Sequence, residues 1–137
     1  IVTASGPQLV EINYRSIGDG REFLLDQLLA QGWFKTIIKL HAGEALGDLD
    51  FDNKQAVIRY IVANQEGQLV RQQPSTNWHK KDTDWQFTAL KKQGEKVSIS
   101  HSNKDYIGVL VATASLGKAL EALVEQQQAE LDWEIVA

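Results

Sequence analysis

Residues 105–124 read DYIGVLVATASLGKALEALV, and they carry the chain from a strand into a helix. Tyr106 to Thr113 is an apolar run rich in β-branched residues and of strand length. Ser115 follows as a helix cap, and Leu116, Leu120, Leu123, Val124, Gln127 and Leu131 then fall on one helical face. A strand feeding an amphipathic helix implies an α+β chain, here with a mixed or antiparallel central sheet flanked by helices. The helix is expected to reach at least Gln128. Its apolar face continues to Leu131, Trp133, Ile135 and Val136, which leaves two readings open: a helix free to pair with a partner helix or lead into a membrane segment, or a short terminal strand.

Working outward, KVSISH (residues 96–101) precedes the polar turn Ser102-Asn103-Lys104-Asp105 and predicts a hairpin with residues 106–113. In that register Val97 faces Leu110, Ile99 faces Gly108 and His101 faces Tyr106, and Gly108 opens a notch beside them. AVIRYIVA (residues 56–63) is the strongest strand, and the turn Asn64-Gln65-Glu66-Gly67 returns it through residues 68–71 as another hairpin. Between the hairpins, Pro74, Ser75, Thr76 and Asn77 mark a loop. Residues 83–93 read as a short helix, capped by Asp82 or Thr83 and ended by Gly94.

Nearer the start, Asp19 and Glu22 resemble a capping box opening a helix with Leu24, Leu25, Leu28 and Leu29 on one face and Gly32 as its stop. Residues 33–41 alternate Phe34, Thr36, Ile38 and Leu40 against Lys35 and Lys39, which favours a strand over a continued helix. Residues 43–53 read as a loop, and residues 8–15 as a short strand or an extended lead-in. The expectation is one domain, 1–137, with residues 1–20 as a lead-in segment.

Composition bounds the function. The 137 residues carry 14 basic against 18 acidic side chains, a net charge of −4, so no basic surplus exists to neutralise a nucleic-acid backbone. Cysteine is absent, which removes thiol catalysis, disulfides and cysteine-ligated zinc. Methionine is absent too and the chain opens on Ile1, so a fragment of a longer protein is expected.

The order hairpin, loop, short helix, hairpin, long exit helix over residues 55–128 resembles the extracytoplasmic PAS-like (PDC or Cache-type) sensor domains of bacterial histidine kinases, chemoreceptors and cyclic-di-GMP enzymes. AVIRYIVANQEGQLV is similar to that family's strand-turn-strand, DYIGVLVATASLGKALEALV to its last strand and exit helix, and NWHKKDTDW to its aromatic and basic binding loop. The match covers a little over half the chain. It departs from the family in lacking a long leading helix, because Ser5-Gly6-Pro7 and Gly18-Asp19-Gly20 interrupt one, and in lacking a strict Arg-x-Trp-Tyr motif. The resemblance implies a periplasmic domain of a membrane-anchored signalling protein, binding a small molecule and relaying its signal through the terminal helix, with a homodimer through that helix as a further expectation. The alternatives are a soluble cytosolic binding or adaptor domain and a small cone-shaped α+β enzyme.

The candidate site follows from both readings. Trp78, His79, Lys80, Lys81 and Trp85 bring two indoles, an imidazole and two ammonium groups together, a set suited to a small anionic or aromatic ligand. The resemblance adds His101 and Tyr106 as pocket lining and Arg71 as a carboxylate clamp. No catalytic set is expected: there is no G-x-S-x-G elbow, no phosphate loop and no H-E-x-x-H pair. Neither cofactor nor metal is expected. Asp48, Asp50 and Asp52 supply alternating oxygens, but Asn53 and Arg59 stand where an EF-hand needs glycine and glutamate.

Overall fold

Two glycines held at φ of 78°, Gly20 and Gly32, divide the first fifty residues. The structure, a computed structural model, describes residues 1–12, 16 and 18–137, and it separates into two units, Ile1–Asp50 and Phe51–Ala137. In the first unit a minimal hairpin pairs β1 (Val2–Thr3) with β2 (Gly6–Pro7). Of the short strand or extended lead-in expected at 8–15, residues 13–15 lie outside the described residues and residues 8–12 are in no strand.

Helix α1 (Arg21–Leu28) forms where expected, but the capping box does not, because Gly20 takes the cap position and supplies no side chain. The expected strand at 33–41 is instead helix α2 (Trp33–His41). Trp33, Thr36 and Ile37 stand at i, i+3 and i+4, and these are the residues α2 covers while Phe34, Lys35 and Ile38 stay exposed. Gly32 therefore starts a helix rather than ending one, since α1 stops at Leu28 with Leu29 as its extended cap. Asp26 Oδ1 accepts the Phe34 N–H at 3.0 Å, filling one of the donors that a helix start leaves free.

The second unit carries β3 (Lys54–Val62), β4 (Gly67–Gln72), β5 (Thr76–Lys80), β6 (Thr83–Ala89), β7 (Lys96–Val97), β8 (Tyr106–Ser115), α3 (Leu120–Ala129) and β9 (Trp133–Val136). One antiparallel sheet runs β3-β8-β6-β5 and a second runs β7-β4-β9. The chain is thus α+β with antiparallel sheets.

Neither expected hairpin forms. A strand has two hydrogen-bonding edges, and β8 gives one to the nine residues of β3 and the other to the seven of β6. Lys96 and Val97 pair with Gln68 and Gly67 instead, so the Val97–Leu110, Ile99–Gly108 and His101–Tyr106 pairings are absent. Strand β4 likewise turns away from β3, to β7 and β9. Gly67 permits the close approach this requires, since a Cβ there would stand 2.2 Å from the Val136 carbonyl oxygen.

The helix expected at 83–93 is strand β6. Thr83, Trp85 and Phe87 are buried and Asp84 and Gln86 exposed, a strict period of two. The loop expected before it is β5, joined to β6 through Lys81 and Asp82 at φ of 55° and 53°, the left-handed pair of a two-residue hairpin turn. Ser115 ends β8 rather than capping α3, whose cap is Ala119. Helix α3 stops at Ala129, and the last apolar residues return as β9, with Ile135 buried. Leu120, Leu123 and Val124 pack into the chain's own core against Ile61, Trp85, Phe87, Leu110 and Ala112.

A bulge sets which way β8 presents its first residues. Ile61 pairs with Gly108 and Val62 with Tyr106, so Ile107 is the extra residue. Ile107 and Gly108 are both buried, while Tyr106 turns to the face of Tyr60 and stacks on it with ring centroids 4.6 Å apart.

Candidate functional site

The expected site residues divide between two faces of one sheet and a second sheet. Trp78 opposes Trp85 across the β5–β6 pair, and the rings lie 5.9 Å apart and within 7° of parallel. Trp85 is opposite Ala112 on the other side, where a small residue leaves room for the indole. Both tryptophans face the core that α3 covers. His79, one residue on from Trp78, points to the opposite face, where its Nδ1 meets Asp84 Oδ1 at 2.8 Å in an exposed pair.

Tyr106 also lies on that opposite face, beside Tyr60. His101 sits in the loop before β8 at φ of 57° and is exposed. Arg71 extends from β4 toward β9, with its Nε 2.9 Å from Asp132 and an Nη 3.3 Å from Glu134. The chain's own carboxylates thus occupy the guanidinium expected to clamp a ligand. Trp78 and Trp85 stay together; His79, His101, Tyr106 and Arg71 do not join them.

Trp85, without Trp78, also borders a cleft against α3. This cleft of about 20 Å³ lies between the β5–β6 turn and the helix, lined by Lys80, Lys81, Trp85, Leu123, Gln126, Gln127 and Glu130. Trp85 is 5% exposed, and its Nε1–H is buried with no hydrogen-bond partner among the described residues. An indole nitrogen can only donate, and a buried donor left unmade costs about 1–3 kcal/mol. Glu130 is already engaged: Lys80 Nζ lies 3.2 Å from its Oε2, and Gln127 Nε2 donates to the same oxygen at 3.1 Å. The turn is braced from α3's side of the sheet by Lys118, whose ammonium donates to the carbonyls of Lys81 at 2.7 Å and Asp82 at 3.1 Å. Lys81's own ammonium has no partner among the described residues.

Comparison with known proteins finds no matching protein family, no related curated protein and no similar solved structure.

Gln126 and Glu130 were not among the residues expected to matter. A signal for their helix was present in the polar Gln127, which falls on an otherwise apolar face. The acidic residues Asp48 and Asp50 border a separate, larger cleft of about 320 Å³ between α2 and the loop that follows it. There Lys39 pairs with Glu44 at 3.4 Å, and both groups stay half exposed. Among the described residues no group of three histidines, cysteines or carboxylates is placed to hold a metal. No helix among them is long and apolar enough to cross a membrane.

Proposed function

We propose that this chain is a ligand-sensing domain, of the kind that bacterial membrane signalling proteins carry on their extracytoplasmic face. The single observation behind this reading is the polar cleft that Lys80, Lys81 and Trp85 of the sheet form with Leu123, Gln126 and Gln127 of α3. A group seated there would touch β6 and α3 together. A ligand shifts a conformational equilibrium only as far as its affinity differs between the two states, and a site built from two packed elements supplies that difference. The signal would leave through α3 and the strand β9 that follows it.

A binding or adaptor role has a different support. The sheet face away from α3 carries half-buried Ile58, Tyr60, Tyr106, Val109 and Val111. A thermal-shift screen of organic acids, amino acids and divalent cations separates the two. A ligand present at roughly a hundred times its dissociation constant adds about 2.7 kcal/mol, a rise of several degrees in the melting temperature. The sensor reading expects at least one such rise, abolished by Trp85→Phe, which reshapes the cleft wall and keeps an aromatic ring in the core. Tyr106→Phe is expected to retain it. Loss of the rise in Tyr106→Phe, with Trp85→Phe unaffected, would move the site to the other face.

A further inference from the structure

The first unit carries more apolar surface than it covers. Among its described residues Leu29 is the one buried apolar side chain, while Phe23, Phe34 and Ile38 stand 62%, 37% and 68% exposed. These three form one strip. Phe34 and Ile38 lie a turn apart on α2, and the Phe23 ring of α1 is 5.2 Å from that of Phe34. We propose that the strip docks α2 on the surface of an anionic lipid bilayer, a contact independent of the cleft beside α3.

Charge selects the partner. Helix α2 contains Lys35, Lys39 and His41 and no acid. At about 100° per residue, the order around it is Trp33, Ile37, Phe34, Ile38, Lys35, Lys39. Half-buried residues thus give way to the exposed strip, and the strip to two lysines. Glu44 pairs with Lys39 at 3.4 Å in an exposed bridge, which holds it only weakly, and Lys35 has no partner among the described residues. The acids of α1 are Glu22, with one carboxylate oxygen buried, and Asp26, which accepts the Phe34 N–H. A lysine beside such a strip lays its stem on apolar surface and reaches outward with its ammonium. Acyl chains under a layer of anionic headgroups offer a match to both parts.

Size separates a bilayer from a protein partner. A whole aromatic side chain offers roughly 150–250 Å², so three part-exposed side chains fall short of the ~800 Å² a stable protein interface takes from each partner. A bilayer needs no matched surface. At nine residues α2 is of a length to lie among the headgroups, well short of the roughly 20 residues of a span.

The test is flotation of the chain with phosphatidylcholine vesicles, with and without phosphatidylglycerol. The chain is expected to rise with the mixed vesicles and stay behind with phosphatidylcholine alone, and added salt is expected to release it. Ile38→Asn and Phe23→Ser are each expected to weaken binding about tenfold, and Lys35→Gln about fivefold. These positions are exposed, and melting curves matching the parent's would show that the variants fold. Leu116→Asn, at an exposed apolar position of the second unit, is expected to bind like the parent. Equal binding to the two vesicle types, or binding that Ile38→Asn leaves unchanged, would overturn the proposal. So would self-association of the lipid-free chain that Ile38→Asn abolishes, because a second copy would then cover the strip.

Discussion

Gly108→Val is expected to lower the chain's stability by about 3 kcal/mol, the upper end of what overpacking a filled core costs. A Cβ at residue 108 would stand 2.6 Å from Cε2 and 2.7 Å from Cζ of Phe87, and 3.3 Å from the Thr88 carbonyl oxygen. Phe87 is 3% exposed, so its ring has no free space to turn into. Gly108 also pairs with both Ile61 and Ala89, at the centre of the β3-β8-β6 arrangement. Moving the ring therefore strains both ladders. Urea denaturation checks this: the midpoint should fall steeply for valine and about half as far for alanine. A valine variant as stable as the parent would mean that β6 does not pack its Phe87 ring over residue 108.

The second large effect concerns Asp105, which fixes the loop in place of the hairpin expected there. Its carboxylate is buried at 2% exposure. It accepts the Ser100 hydroxyl at 2.6 Å, the Ser100 N–H at 2.9 Å on both oxygens and the Ser102 N–H at 3.3 Å. The Ser102 hydroxyl in turn caps the short 3-10 turn Asn103–Asp105 by accepting the Lys104 N–H at 3.2 Å. These bonds, the Ser100 hydroxyl first, hold the Asp105 carboxyl below the usual aspartate value of 3.8, with burial acting in the opposite direction.

The sign is that of a depressed acid. The unfolded chain binds the proton more readily, so the stabilisation is complete above the unfolded value and is lost as pH falls through the lower folded value. Asp105→Asn should therefore reduce the melting temperature clearly at neutral pH. The gap between variant and parent should close as the pH is taken well below 3.8. A gap that stays constant across that acid window would show that the carboxylate charge has no part in holding the loop.

Elements were legible in the sequence where one period dominated. AVIRYIV and YIGVLVAT lie in β3 and β8, and the leucines at 24, 25 and 28 lie in α1. Residues 33–41 were ambiguous because Phe34, Ile38 and Leu40 fit a period of two while Trp33, Thr36 and Ile37 fit a helix. Burial of the second set decides it. At 83–89 the alternation Thr-Asp-Trp-Gln-Phe-Thr-Ala was present in full, but Asp82 and Gly94 framed it like a helix start and stop.

Pairing was the least legible part, because partner choice is non-local. Nothing near residue 106 says that β8 will spend both edges on β3 and β6. The candidate site suffered from the same gap. Reading residues 78–85 as loop and helix placed His79 beside Trp78. In a strand, neighbours point to opposite faces, and so the imidazole parts from the two indoles. Arg71 was recognised as a carboxylate binder, but its partners Asp132 and Glu134 come from the far end of the chain.

The measurement that bears most directly on the account is amide hydrogen exchange with and without a saturating compound that raises the melting temperature in the thermal-shift screen. A ligand wedged between the β5–β6 hairpin and α3 slows local opening of both elements. The account predicts slowed exchange in Thr83–Ala89 and Leu120–Ala129, with the α2 cleft and the Tyr60–Tyr106 face unchanged. Unaltered exchange in those two elements, or slowing confined to residues 31–50, would contradict it.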